Sequence, residues 1–219
     1  MRSLFDAELE SVGAKLTEMA ERIDAGMRDA SAALLEGDVA RAEKVIAEDV
    51  AIDALEDEVT EQCVLLIAQQ QPVGADLRTI IVSLRIAASL ERMGDLAQHV
   101  AEIARRRYPD HAFGATDGAL ITKMSEAAIE TSSNLLRLLK DHSLDVAEKI
   151  MADDETLDEL NRESYAYMLS DGYDLSTHIT LDLALLSRFY ERFGDHAVGV
   201  SKRIVYLVTG DHTSPEAAI

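Results

Sequence analysis

At 219 residues the chain is long enough for one sizeable domain or two small ones, and 47% hydrophobic residues supply a core. Aromatics are only 5%, with no Trp, so Ala, Leu, Ile, Val and Met fill that core; with abundant Glu, Asp and Arg, this favours helices over strands. Forty-one acidic against 21 basic residues leave a net charge of -20, which argues against nucleic-acid binding and against docking on an anionic membrane without a protein partner.

The single cysteine, Cys63, rules out an internal disulfide and a Cys-based zinc cluster, as suits a reducing cytoplasm. The start of the chain lacks a signal-peptide core, and apolar runs such as Val64 to Ala68 are too short to span a bilayer. A soluble, cytoplasmic protein is expected.

Six long helical patterns follow one another. The first runs from Ser3 to Leu35 and stops at Gly37-Asp38. The second spans Val39 to Gln70, ahead of Pro72, and the third spans Ala75 to Arg107. Arg105, Arg106 and Arg107 close it, where cations suit the negative end of the helix dipole. Pro109 to Gly118 reads as a linker, and a fourth helix covers Ala119 to Lys140. The fifth covers Leu144 to Leu169 and the sixth Leu175 to Val208, followed by a short polar tail.

The third and sixth helices repeat each other: Glu91-Arg92-Met93-Gly94-Asp95 returns as Glu191-Arg192-Phe193-Gly194-Asp195. The second and fifth correspond as well, Ala42-Glu43-Lys44 with Ala147-Glu148-Lys149 and Asp49/Asp53 with Asp154/Asp158. The registers differ by a few residues, which a changed turn length would absorb. Because the order is the same in both halves, the expected architecture is all-α: two tandem, duplicated three-helix bundles, residues 1–110 and 111–219.

Residues four apart share a helix side. Asp49/Asp53, Glu91/Asp95, Asp154/Asp158 and Glu191/Asp195 are such pairs. Spacing alone is weak, since chance placement would give roughly seven i,i+4 acidic pairs in an all-helical chain of this composition. Their surroundings weigh more. Leu77, Ile81, Leu84 and Ala88 form an apparent apolar seam leading to Glu91 and Asp95, and Leu181, Ala184 and Leu185 one leading to Glu191 and Asp195. Ile46, Thr60, Cys63 and Ile67 flank Asp49 and Asp53; Ala147, Met151, Tyr165 and Met168 flank Asp154 and Asp158.

Carboxylates facing one another in a bundle must take up protons or be neutralised by basic side chains or cations. Gly94 and Gly194 each cost about 1 kcal/mol relative to Ala inside a helix, which close approach of backbone or a bound ion would explain. Two all-carboxylate sites for Mg²⁺, Mn²⁺, Ca²⁺ or iron result. The competing reading is an exposed or arginine-paired acidic seam, with Arg92 and Arg192 at hand.

Other candidates are plainer. No histidine has Glu three residues before it, so the ferritin-like Glu-x-x-His pattern is absent. His99 reads as an outward polar residue, Cys63 as a small core residue, and the arginine triplet as a helix end. No phosphate loop, nucleophile elbow or Ser-His-Asp order can be placed.

At the duplicated Glu-Arg-x-Gly-Asp the chain resembles the PhoU family, accessory proteins of phosphate-specific transport. Phe5-Asp6-Ala7-Glu8-Leu9-Glu10, Gln71-Pro72-x-x-Ala75-Asp76-Leu77-Arg78 and Arg188 ahead of Glu191 add to it, so the resemblance runs from Phe5 to Leu207. It implies two three-helix bundles, a homodimer, and metal clusters at Asp49, Asp53, Glu91, Asp95, Asp154, Asp158, Glu191 and Asp195, with iron, manganese or magnesium as the metal. It also implies a negative regulator of phosphate-starvation signalling and phosphate uptake. Such a protein links the ATPase subunit of the phosphate ABC transporter to the PAS-type region of a sensor histidine kinase, and reaches the membrane's inner face through them. Ser176-Thr177-His178 replaces Asp76-Leu77-Arg78 in the second repeat, so the halves need not bind partners equally. A carboxylate-bridged metalloenzyme and the accessory protein of another phosphate permease are the alternatives.

Overall fold

The computed structural model describes residues 2–109, 113 and 115–210. Seven helices follow in order: α1 (Arg2–Glu36), α2 (Val39–Glu48), α3 (Val50–Gln70), α4 (Ala75–Arg107), α5 (Ala115–Asp141), α6 (Leu144–Met168) and α7 (Thr177–Thr209). No strand occurs among the described residues. Helices α2 and α3 are one rod, with Asp49 between them keeping helical dihedrals (φ -59°, ψ -39°), so the six expected rods are present. There the Asp49 carbonyl accepts both from Ile52 N, at 2.8 Å, and from Asp53 N, at 3.3 Å, a locally tightened turn.

Local chemistry sets the corners. Asp38 caps α2 by accepting from Arg41 N at 3.0 Å, behind Gly37 in the left-handed region (φ 72°). His142, at φ 49°, makes the equivalent corner before α6. Helix α5 starts at Ala115, ahead of the expected Ala119, with Asp117 in its first turn, where a negative charge suits the dipole. Of the rest of the expected linker, residues 110–112 and 114 fall outside the described residues, as does the tail past Gly210.

Each half is a three-rod unit: α1, α2–α3 and α4, then α5, α6 and α7. The halves meet along α1–α5 and α4–α7 around a shared core. Met19, Ile23 and Met27 of α1, Ile86, Leu90 and Met93 of α4, and Tyr190 and Phe193 of α7 are all fully buried there. The Tyr190 hydroxyl lies 3.1 Å from Ser31 Oγ and 3.0 Å from Ser125 Oγ, tying α7 to α1 and α5. Asp24 accepts from Ser132 Oγ at 2.7 Å and from Ser133 Oγ at 2.9 Å, joining α1 to α5. The arginines at the end of α4 do more than suit a dipole, for Arg106 and Arg107 both hold the buried Asp182 of α7. That contact joins the halves, and nothing in the local sequence around Asp182 announces it.

The register change between the repeats is not absorbed by turn length alone. The second connection, residues 169–176, is longer than the first, residues 71–74; helix α6 compensates by ending sooner after Asp154 than α3 does after Asp49.

Part of the expected core seam needs correction. Leu77 and Ile81 of α4 and Leu181 of α7 are exposed, as are Ala88 and Tyr165. The buried face of α4 runs instead through Ile80, Ser83, Ile86, Ala87, Leu90, Met93, Gly94 and Ala97. The two stripes lie side by side on the helix, and only the neighbouring rods decide which is covered. Glu91 and Asp95 therefore sit at the margin of the core rather than inside it.

Candidate metal centre

Helix α2–α3 presents a buried face of Ala42, Val45, Asp49, Ile52, Leu55 and Val59. Asp49 occupies a core position in that series and is 7% exposed. Its carboxylate meets Asp53, one turn on, and Asp95 of α4; one oxygen from each lies within 4.8 Å of the others. Among the described residues this is the only such grouping of acids, cysteines or histidines. Burial, followed by the charges of Asp53, Asp95 and Glu102, raises the Asp49 carboxyl to about 6. Glu91 is raised as well, by burial first and then by Asp95. Glu102, on α4 two turns beyond Asp95, is an acid that helix spacing alone did not single out.

Gly94 makes the approach of α4 feasible. A methyl group added there would lie 3.0 Å from Ile52 Cδ1 and 3.1 Å from Asp49 Oδ1. In the second half a methyl at Gly194 would lie 2.6 Å from Asp154 Oδ1 and 2.9 Å from Leu157 Cδ1. The paired glycines thus mark where a carboxylate of one rod presses on the backbone of the next, which accounts for their cost inside a helix.

The second set assembles more loosely. Asp154 is part-buried, and its carboxyl rises to about 6 through burial, then Asp195, Asp158 and Glu191, while Lys202 opposes the rise. Glu191 and Asp195 are raised too, burial leading in both. Glu191 Oε1 pairs with Arg188, and Glu191 Oε2 is buried with no hydrogen-bond partner. Asp195 and Asp53 are exposed, although each faces the other acids of its own half. Lys202 stands on α7 where Glu102 stands on α4, with Gly94 and Gly194 aligned.

Arginine pairing accounts for part of each site. Arg92 contacts Glu91 Oε2 at 3.3 Å and Asp95 Oδ2 at 2.7 Å, from a side chain that is 59% exposed. Among the described residues no arginine pairs with Asp49 or Asp154, although the charge of Lys202 acts on Asp154. A cleft of about 660 Å³ between α1 and the α2–α4 rods opens onto Asp49, Ile52, Gly94 and Ala97, so an ion can reach Asp49 from solvent. The donor set fits a hard cation: all-oxygen, part-buried, with an unpartnered buried carboxylate oxygen in the second half. Only carboxylates contribute; His99 instead stacks on Phe189, with ring centroids 5.1 Å apart. Cys63 is fully buried among apolar side chains, which push its thiol up to about 11 and leave it unreactive.

Comparison with known proteins agrees with the duplication. A family model described as PhoU domain matches residues 16–104 and again residues 121–204. The chain is 35% identical over 210 residues to the phosphate-specific transport system accessory protein PhoU homolog 2 of Mycobacterium tuberculosis, covering 96% of this chain and 99% of that one. It is 32% identical to the PhoU homolog 1 of Mycobacterium leprae, covering 96% of this chain and 95% of that one. The crystal structure of PhoU from Pseudomonas aeruginosa superposes with a TM-score of 0.86 at 29% identity, covering 94% of this chain and all of that one. The chain, with its duplicated three-rod fold and its Glu-Arg-x-Gly-Asp in each half, belongs to the PhoU family.

Proposed function

We propose that this protein is a metal-binding, non-catalytic regulator of phosphate homeostasis that acts through protein contacts. Each repeat, residues 1–110 and 111–219, contributes one carboxylate site. The carrying observation is the convergence of Asp49, Asp53 and Asp95 on the one helix crossing that Gly94 leaves open. The names of its relatives place those proteins as accessories of phosphate-specific transport, and the same role is inferred here. The protein is a cytoplasmic homodimer held at the inner face of the membrane by the transporter's ATPase subunit and the PAS-type region of a sensor histidine kinase. There it restrains phosphate uptake and phosphate-starvation signalling. Two facts favour recruitment by proteins: the net charge of -20, and the absence among the described residues of a helix long and apolar enough to cross a membrane.

Iron, manganese or magnesium, bound by Asp49, Asp53, Glu91 and Asp95 and by Asp154, Asp158, Glu191 and Asp195, supplies the positive charge that keeps these acids ionised at neutral pH. In the first half Asp49 and Asp53 would hold an ion from the outer rod with Glu91 and Asp95 of α4, and in the second half Asp154 and Asp158 would do so with Glu191 and Asp195 of α7. The glycines keep the rods near enough for both sets to share it. Binding then locks outer rod to inner rod, a change in rigidity that a partner protein can read. The halves are unequal, because Glu102 adds negative charge to the first site and Lys202 subtracts it from the second.

Metal analysis of protein purified without chelator tests the site: metal is expected in the wild type and lost in Asp95→Ala/Asp195→Ala. Unchanged metal content in that variant sinks the assignment. Co-purification with the ATPase subunit and the kinase's sensory region tests the adaptor role, and failure with both defeats it.

A further inference from the structure

The contact between α4 and α7 carries arginines at both of its ends, and at one end no acid pairs with them among the described residues. The helices run antiparallel, as the pairing of Arg106 with Asp182 and of Ser89 with Arg203 shows. At the first end two guanidiniums, from Arg106 and Arg107, meet the buried carboxylate of Asp182. At the other end the positions equivalent to Asp182, Arg106 and Arg107 are Val82, Tyr206 and Leu207, so the repeat itself leaves no charge pair there. Yet arginines gather there too. Arg203 of α7 is half-buried and lies over Gly199, where a methyl group would come within 2.9 Å of its Nη1. Its Nη1 donates to Ser89 Oγ at 3.3 Å, and that hydroxyl donates to the Arg85 carbonyl at 3.1 Å. Burial and the nearby charge of Arg85 hold the Arg203 guanidinium below its ordinary range, with no acid among the causes.

Arg78, one heptad before Arg85 on the same side of α4, lies 5.0 Å from the Tyr206 ring centroid and against Gly210 at the end of α7. Among the described residues no carboxylate forms an ion pair with Arg78, Arg85 or Arg203, in a chain with 41 acids. Beside the arginines runs the exposed aliphatic ridge of Leu77 and Ile81, 37% and 40% exposed. A part-buried guanidinium facing another guanidinium is unfavourable until an anion joins them. A lone small anion would use the arginines and leave the ridge bare. An acidic helix with one apolar edge would use both.

We propose that Arg78, Arg85 and Arg203, with Leu77 and Ile81, form the docking surface for an acidic, amphipathic segment of a partner protein. Carboxylates of that segment pair with these arginines as Asp182 pairs with Arg106 and Arg107, and its apolar side chains cover Leu77 and Ile81. The inference rests on the adaptor reading above, and it names the surface that the reading leaves open.

The test titrates full-length protein with a phosphate-transporter ATPase subunit and the sensory region of a phosphate-responsive histidine kinase from the same organism. Phosphatidylglycerol vesicles and orthophosphate serve as further probes. Arg78→Glu/Arg85→Glu is expected to weaken binding of at least one of the two proteins by about tenfold or more. Ile81→Asp should weaken the same partner, while Arg137→Glu on the exposed face of α5 should change it by less than about twofold. Circular dichroism verifies that each variant is folded, and Arg85→Ala serves where the double reversal is not. If wild type binds and the groove variants bind equally, the surface is wrong and the adaptor reading stands. If wild type binds neither protein, both fall. If the variants lose only vesicles or orthophosphate, the groove serves a lipid headgroup or a free anion and the proposal is overturned.

Discussion

The first and second carboxylate sites descend from one pattern, yet they differ in how tightly they are built. In the first, Asp49 is buried at a tightened turn between α2 and α3, and its oxygen comes within 4.8 Å of those of Asp53 and Asp95. In the second, α6 runs unbroken through Asp154, Asp195 is exposed, and Lys202 supplies a positive charge where the first site has Glu102. Duplication preserves the rods and the glycine crossings, because these are fixed by backbone proximity. It does not preserve the net charge around each crossing, which a single surface substitution resets. The close approach of three carboxylate oxygens and the acid count favour the first site for a cation.

The largest expected effect separates the two sites directly. Asp49→Ala/Asp53→Ala is expected to abolish the tighter class of Mn²⁺ binding, whereas Asp154→Ala/Asp158→Ala removes only a class roughly 10–100-fold weaker. Calorimetric titration of both variants checks this; equal affinities for the two classes break the comparison. Exchanging the charges sharpens it. Glu102→Lys should weaken the first class and Lys202→Glu strengthen the second, each by about tenfold, or about 1.4 kcal/mol. If neither moves, the inequality comes from the closer grouping of oxygens in the first site and not from charge.

The glycine crossings predict an ordering in stability. A methyl group at Gly194 meets Asp154 and Leu157 at 2.6 and 2.9 Å, while at Gly94 the nearest contacts are 3.0 and 3.1 Å. Each substitution gains about 1 kcal/mol of helix propensity, against which the clash must be set. Gly194→Ala should be destabilising by about 1–2 kcal/mol net and Gly94→Ala by less than about 1 kcal/mol. Denaturant titration gives the order, and the reverse order would contradict the tighter crossing in the second half.

Metal-free protein should show a pH signature of similar or smaller size. Burial and like charges raise Asp49 and Asp154 to about 6 in the folded state, against an ordinary value of 3.8. The folded protein then binds more protons than the unfolded chain between roughly pH 4 and pH 6, so the stabilisation present at low pH is lost as pH rises through that window. Roughly 1–2 kcal/mol per carboxylate is expected after allowance for partial solvation. The contribution is isolated by comparing wild type with Asp49→Asn/Asp154→Asn in chelator. Parallel stability-pH curves would remove the basis for a metal requirement, and Mn²⁺ at neutral pH should restore stability only to the wild type.

The smallest effect concerns the seam between the halves. Tyr190→Phe removes the hydroxyl shared with Ser31 and Ser125 at 3.1 and 3.0 Å, and Leu90 in the first repeat manages without one. A loss of about 1 kcal/mol is expected on thermal unfolding, with metal binding unchanged.

Much of this molecule is legible from residue order alone. Helix periodicity, few prolines and paired Glu-Arg-x-Gly-Asp motifs determine six rods, the duplication and the four acidic pairs, because those features depend on spacing within a helix or on direct repetition. The helix connections at Gly37-Asp38 and Gln71 to Gly74 follow from turn chemistry in the same way. Tertiary structure decided the rest. It exposed Leu77 and Ile81 while burying the stripe beside them, tightened the second rod at Asp49, and brought Glu102 to one site and Lys202 to the other. It also set Asp182 against Arg106 and Arg107 and left Arg203 without a matching acid. The physical reason is the same in each case: helical spacing says which side chains share a face, but only the neighbouring rod determines which face is covered and which charges meet across the gap.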